Sequence, residues 1–349
     1  MTAKPTQPAP RGFDQELAGI EDLRIAFRNG APLGEPGVER VCKALGHRNN
    51  FLVSKAAKLA VEAGLATFLP EILTTFDRFF HDAAATDPQC WAKIELARAL
   101  VAFEHRQRDA FLRGLRHIQL EPVWGGSADT AGPLRAICLH ALVDCPGLSD
   151  FELLKHFAAA FVDTDKSVRM EAARGLANVG GSGAILLLRV RIHLGLEASN
   201  KEEPEVLGAC FSALLALEGA EAVPLLAQAM TPGDEISSEA AYALAELRDP
   251  ATFAALRQRL KQGADSWFAP ILLGAMALTR LPEALDFLLS LIENESREAV
   301  SAIEAITRSA PSEELCQRLR QAVEATGSPR LQLALRENLP GTGIRGQGL

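Results

Sequence analysis

This sequence predicts an all-α chain of stacked helical pairs, an α-solenoid of about eight repeats. Three observations carry that reading. First, a small residue followed by an aliphatic one recurs at Ala60-Val61, Ala99-Leu100, Ala141-Leu142, Gly175-Leu176, Ala213-Leu214, Ala243-Leu244, Ala277-Leu278 and Ala305-Ile306. The intervals are 39, 42, 34, 38, 30, 34 and 28 residues, with a mean of 35, the length of two helices and two short turns. Second, the windows around these pairs are apolar at helical spacing: Val168, Ala172, Leu176 and Val179 fall at i, i+4, i+8 and i+11. Third, strand signals are poor, with one tyrosine and few β-branched runs. A small residue at each anchor lets helices of neighbouring pairs approach closely enough to interlock.

Taken in chain order, residues 1–12, MTAKPTQPAPRG, hold three prolines and no apolar run, and read as a disordered arm and not as a secretion signal. Residues 13–160 read as longer, divergent repeats with aromatic windows such as LATFLPEILTTFDRFF. The longest interval holds EPVWGGSADTAGPLRA, expected as a loop after a helix ending near Leu120. Gly125 and Gly126 permit loop conformations there, Asp129 or Thr130 can cap the next helix, and Pro133 enters its first turn. Turn chemistry does not account for Trp124, which either plugs the seam between adjacent pairs or stands exposed beside Arg116 and Arg135 as an anchor. Residues 161–339 read as short repeats continuous with the preceding segment, in which Gly180, Gly181 and Gly183 punctuate before a second helix from Ala184. Residues 340–349 close the chain as a loose tail.

The segments DKSVRMEAARGLANVG, SALLALEGAEAVPLLAQAM and YALAELRDPATFAALRQRL resemble HEAT repeats of the short bacterial kind, the HEAT-like repeats also found in phycobilisome lyases. Asp165, Val168, Arg169, Ala172, Ala173, Leu176 and Gly180 match that pattern position by position, and Asp249-Pro250 matches its turn. The match is good from about Asp163 to Leu260 and recognisable to about residue 325. The resemblance implies a right-handed α-α superhelix, with Asp165, Arg169 and Arg174 as structural residues linking neighbouring units. It specifies architecture and hardly any function.

The usual chemistry is missing. No HExxH, GxxxxGK[ST] or GxSxG element occurs, and the absence of any His-Glu dipeptide excludes the iron-dependent hydroxylases that the resemblance brings to mind. His140 and Asp144 lie one helical turn apart with Cys138 and Cys145 nearby, but Cys138 and His140 point to opposite sides of a helix, so the set reads as a surface His-Asp pair beside core thiols. No catalytic residue, cofactor or metal is expected. Six scattered cysteines without a CxxC pair fit a reducing compartment. The longest nearly apolar stretch, Trp267 to Thr279, is interrupted by Pro270 and falls short of a bilayer. The sequence therefore reads as a cytoplasmic, bacterial protein without a membrane partner.

Net charge is −8. The stretch from Lys201 to Asp249 is strongly acidic and that from Lys93 to His117 mildly basic. Basic residues cluster at the ends of the second helices: Arg78 and His81, Arg113, Arg116 and His117, Lys155 and His156, Arg189, Arg191 and His193, Arg257, Arg259 and Lys261, Arg318 and Arg320. They either complement helix C-termini or form a ladder on the inner face that receives an acidic protein segment. Phe68, Phe76, Phe79, Phe80, Trp91, Phe103 and Phe111 add aromatic material to its first half. The run NKEEPE, 200–205, reads as a solvated loop.

The expected function is a non-enzymatic scaffold or adaptor that binds a protein through the inner face. Its candidate residues are Trp124, Arg135, Arg113, Arg116, His117, Arg189, Arg191 and His193. The alternatives are a HEAT-like DNA-binding protein or DNA glycosylase using Trp124, Asp129 and Arg135, disfavoured by the acidic balance, or an accessory for cofactor attachment.

Overall fold

The computed structural model describes residues 12–197 and 202–339. The expected arm (except Gly12), the expected tail, and Asn200 and Lys201 of the acidic run lie outside them. The described residues are all-α apart from one two-stranded hairpin. The chain divides into two compact units, Met1–Gly175 and Leu176–Leu349.

The first unit opens with α1 (Gly12–Arg28), α2 (Gly34–Leu45), α3 (Asn50–Glu62), α4 (Leu69–Arg78), the single turn α5 (Ala83–Thr86) and α6 (Trp91–Ala102). It continues through α7 (Arg108–Leu115), β1 (Leu120–Val123), β2 (Gly126–Asp129), α8 (Gly132–Ala141) and α9 (Asp150–Ala160) into α10 (Lys166–Val179), which runs across the division. One layer is built by α3 on α6 and α6 on α8, while α2 packs on α4 beside it. Leu52, Ala56, Leu59, Leu96, Leu100, Leu134 and Leu139 fill its core.

The second unit contains α11 (Gly181–Leu196), α12 (Pro204–Glu218), α13 (Val223–Ala229), α14 (Glu235–Leu247), α15 (Pro250–Lys261) and α16 (Phe268–Thr279). It ends with α17 (Pro282–Glu293), α18 (Ala299–Arg308), α19 (Glu313–Thr326) and α20 (Pro329–Asn338). Alternate helices stack, α12 on α14, α14 on α16, α16 on α18 and α18 on α20, and the intervening α13 and α15, then α17 and α19, form the other layer. Asp249 caps α15 by accepting from the Ala251 amide at 2.7 Å, with Pro250 in the first turn.

The eight anchors fall on α3, α6, α8, α10, α12, α14, α16 and α18, and every anchor alanine is buried. The physical need for a small residue is plainest at Gly175. A methyl group there would lie 2.2 Å from Cε1 of the fully buried Phe157. Gly175→Ala should therefore lower stability by about 1–3 kcal/mol through overpacking, although alanine is the better helix former by about 1 kcal/mol. Gly274→Ala, whose methyl meets nothing closer than the Tyr242 hydroxyl at 3.8 Å, should raise stability. Thermal unfolding of the two variants would move in opposite directions; a rise for both would show that Phe157 yields.

Among the described residues, the stretch Pro204–Ala229 is long and apolar enough to cross a membrane. It outruns the Trp267–Thr279 stretch singled out above. Just over half of its most apolar window, 56%, is buried inside the protein, and it is broken at Gly219, where φ is 58°. Those features make it core helix of this unit. Glu202 corrects another expectation: it is buried and ion-paired with Arg191, so the acidic run is not wholly a solvated loop.

Candidate interaction site

Residues 120–129 form a β-hairpin where a loop was expected. Leu120 pairs with Asp129, Glu121 with Ala128, Pro122 with Ser127 and Val123 with Gly126, leaving Trp124 and Gly125 as a two-residue turn. Gly125 has φ 87°, a left-handed conformation that glycine adopts without a Cβ clash. The segment has little intrinsic preference for strand, so side-chain anchors must supply the order.

Those anchors are dense. One carboxylate oxygen of Glu121, Oε1, accepts from the Gln89 amide at 2.6 Å, from Gln119 Nε2 at 2.6 Å and from Thr130 Oγ1 at 2.7 Å. Gln119 Nε2 also donates to the Asp87 carbonyl at 2.8 Å. Asp129 Oδ1 accepts from the Gln119 amide and the Ala131 amide, both at 3.0 Å. Burial alone would raise the pKa of Glu121 and of Asp129, but these hydrogen bonds, with Arg135 beside Asp129, outweigh it and hold both below the usual carboxylate range.

Beneath the hairpin lies a wholly buried ion pair. Asp87 and Lys93 have no exposed side-chain surface, and Lys93 Nζ is 3.0 Å from Asp87 Oδ2. Asp87 also accepts from Asn50 Nδ2 and from the amides of Ala92 and Lys93 at 2.9–3.0 Å, which caps the start of α6. Lys93 donates to the Phe79 carbonyl at 3.2 Å. Between them, Gln89 and Cys90 take φ of 59° and 55°, the left-handed region at two successive residues that are not glycine. This backbone strain persists where surroundings over-determine it, and here Asp87 and Glu121 do so from either side. Burial pushes the Cys90 thiol up to about 11, far from a reactive thiolate.

Arg135 closes the network from α8. Its Nε and Nη2 donate to the two oxygens of Asp163, both at 2.7 Å, and its Nη1 donates to Asp129 Oδ2 at 2.6 Å and to the His117 carbonyl at 3.0 Å. Arg135 was expected to face a partner. That expectation is corrected: the side chain is buried and its bonds are spent holding the hairpin to α8 and to the loop before α10.

Trp124 stands at the hairpin tip with 103% relative exposure. Of the two positions the sequence allowed, it occupies the open one. Arg116 is exposed and forms no ion pair among the described residues, and His117 is half-buried, bonded to Gln119 Oε1 at 3.0 Å and set edge-on against Phe80. Burial lowers the His117 pKa most, and nearby Lys93 and Arg135 lower it further against the hydrogen bond to Gln119.

The other basic candidates bridge helices. Arg113 pairs with Asp77 at 2.6 Å, Arg189 with both oxygens of Glu218, and Arg191 with Glu202. Arg78 donates to the carbonyls of Gly46 and His47 just past α2, and Arg259 to those of Met230 and Thr231 just past α13. Except for Arg191, whose partner lies just before α12, each reaches about one repeat along the chain to satisfy carbonyls left open at a helix end or a facing carboxylate. His193 is exposed near the end of α11. Of the aromatic material expected beside the ladder, Phe76, Phe79 and Phe111 are core.

Asp165 accepts from the Ser167 amide at 2.8 Å at the start of α10 and packs against Gly132, where a methyl would fall 1.8 Å from its Oδ2. Arg169 is buried and donates to the Asp163 carbonyl at 2.6 Å, and Arg174 lies 3.6 Å from Glu171 one turn earlier. His140 pairs with Glu171 at 2.7 Å and not with Asp144; the hydrogen bond to Glu171 raises its pKa against burial. Among the described residues no group of three or more His, Cys, Asp or Glu is placed to hold a metal.

The chain matches no protein family, and no curated protein matches it. Among solved structures it is similar to a crystal structure of an engineered protein, at 19% identity over 95% of this chain and 96% of that one, with a TM-score of 0.32.

Proposed function

We propose that this chain is a non-enzymatic interaction scaffold of HEAT-like helical pairs, working in a reducing cytoplasm, and that it docks a protein partner on the 120–129 hairpin. The repeat reading rests on the eight small anchors, each on a helix of its own, and on bonds that recur about one repeat apart. Six free cysteines, among them the buried thiols of Cys90, Cys138 and Cys210, fit the compartment. The docking element moves from the expected inner-face ladder to the hairpin, because Arg78, Arg113, Arg189, Arg191, Arg259 and Arg318 are committed to carbonyls or carboxylates within the fold.

One observation carries the docking reading. An exposed tryptophan held on a latched turn offers a large anchor whose ordering cost is already met by the fold. Trp124 touches no core, so nothing in the stability of the chain requires a tryptophan there.

The test places a photo-crosslinking amino acid at position 123, beside the tip, in cells of the native host. Discrete protein adducts are expected, and Trp124→Ala should weaken binding of the identified partner by roughly 30-fold while leaving helicity and the unfolding midpoint unchanged. Adducts that survive Trp124→Ala at full yield would remove the hairpin from the function.

A further inference from the structure

The two edges of the hairpin are not alike. The Thr130 amide donates to the Gln119 carbonyl at 2.9 Å, so residues 119 and 130 are a hydrogen-bonded pair at the foot of the strands. Bonded and non-bonded pairs alternate in an antiparallel ladder. Along the register from that bond, Leu120 with Asp129 and Pro122 with Ser127 are therefore non-bonded pairs, and Glu121 with Ala128 and Val123 with Gly126 are bonded ones. The turn at Trp124 and Gly125 requires the same phase, since a two-residue turn is closed by a bond between the residues that flank it.

Residues of a non-bonded pair turn their main-chain N–H and C=O away from the partner strand. On β1 these are Leu120 and Pro122. Proline has no N–H to offer, so that edge is blunted in one of the ways natural sheets avoid unwanted pairing. On β2 the outward residues are Ser127 and Asp129, whose main-chain N–H and C=O bond to no other group among the described residues. This edge has no proline, no lysine and no bulge, and its Gly126, Ser127 and Ala128 are exposed with side chains too small to cover it. Two donors and two acceptors thus face outward at the two-residue repeat of a strand, about 7 Å. The latch through Glu121, Asp129 and Arg135 already holds them in place.

We infer that β2 is the docking edge of the hairpin: an extended segment of a partner protein pairs with it as a third strand, bonding through its main chain to the N–H and C=O of Ser127 and Asp129. This rests on the docking reading of the hairpin and adds the conformation in which the partner is held. Main-chain pairing supplies affinity with little demand on the partner's sequence, and Trp124, three residues before Ser127, supplies the side-chain anchor. A helical segment does not fit, because its main-chain groups are bonded within the helix. A second copy of this chain, pairing β2 with β2, is opposed by the repulsion between two chains of net charge −8.

The experiment selects binders to the full chain from a displayed library of random 12-residue peptides. Ser127→Pro removes one outward donor and no bond of the hairpin itself, as Pro122 already does across the ladder, whereas Ser127→Ala keeps the donor and removes only the hydroxyl. Peptide affinity is expected to fall roughly tenfold in Ser127→Pro and roughly 30-fold in Trp124→Ala, and to stay level in Ser127→Ala. A second measurement needs no variant: in the wild-type chain the Ser127 and Asp129 amides should exchange fast with solvent and slow roughly tenfold or more when peptide binds, as read by NMR. Peptides that need Trp124 but leave both amides fast would overturn the strand-pairing inference and leave the docking reading standing. Equal losses in Ser127→Ala and Ser127→Pro would also overturn it, in favour of a side-chain contact. Peptides that leave both amides fast and are indifferent to Trp124 would overturn both readings. Self-association of the free chain that Ser127→Pro abolishes would overturn the choice of occupant in favour of a second copy.

Discussion

Asp87→Ala is expected to lower stability by about 3–5 kcal/mol, the usual result of leaving a buried charge without its partner. Lys93 would keep a single hydrogen-bond acceptor, the Phe79 carbonyl at 3.2 Å, at a site with no exposed side-chain surface. The amides of Ala92 and Lys93 would lose their acceptor in the same step, and Asn50 Nδ2 would keep only the Pro88 carbonyl. Lys93→Met should cost less, about 1–3 kcal/mol, because Asp87 would still be met by those three N–H donors. Removing both charges together in Asp87→Ala, Lys93→Met should recover part of the loss, since no unpaired charge is left inside. Urea unfolding of the three variants would give the order. Lys93→Met being the worse single variant, or the double variant losing the sum of the two, would show that the buried pair is not coupled in this way.

The helical layers were legible in the sequence because the signal that specifies them is periodic and local. The spacing of Ala60, Ala99, Ala141, Gly175, Ala213, Ala243, Ala277 and Ala305 is set by where adjacent helices cross, and each sits in the middle of an apolar stripe of its own. The hairpin was not legible, for the opposite reason. Leu120–Val123 and Gly126–Asp129 contain proline, glycine, serine and alanine at positions where strands favour branched or aromatic residues. What shapes them is a set of side-chain bonds to Asp87 and Gln89, more than thirty residues upstream. Asp87 and Lys93 were invisible as a site because charged residues belong to the surface by default. Arg135 did carry a signal. It lies at i relative to Cys138, Leu139 and Leu142 at i+3, i+4 and i+7, all buried, so it occupies the apolar stripe of α8 and had to be a paired, interior cation.

That position makes Arg135→Met the second substitution expected to have a large effect, about 3 kcal/mol. The methionine fills the space of the side chain stem but leaves Asp129 and Asp163 part-buried and facing one another without a cation. Arg135→Lys should rescue little, because a single ammonium cannot serve both oxygens of Asp163, one of Asp129 and the His117 carbonyl at once. The loss is expected to be local first: protection of the Thr130 amide, which donates to the Gln119 carbonyl at 2.9 Å, should fall in hydrogen exchange before that of α14 or α16 does. Acid reaches the same state by another route. Glu121 and Asp129 are held below the ordinary carboxylate range, so their contribution is complete above that range and is lost as the pH falls through the lower, folded values. In the wild-type chain the hairpin should therefore loosen only below about pH 4. In Arg135→Met the guanidinium no longer depresses Asp129, and loosening should begin at a higher pH. Equal onset in the two proteins would mean that Arg135 does not latch the hairpin through Asp129.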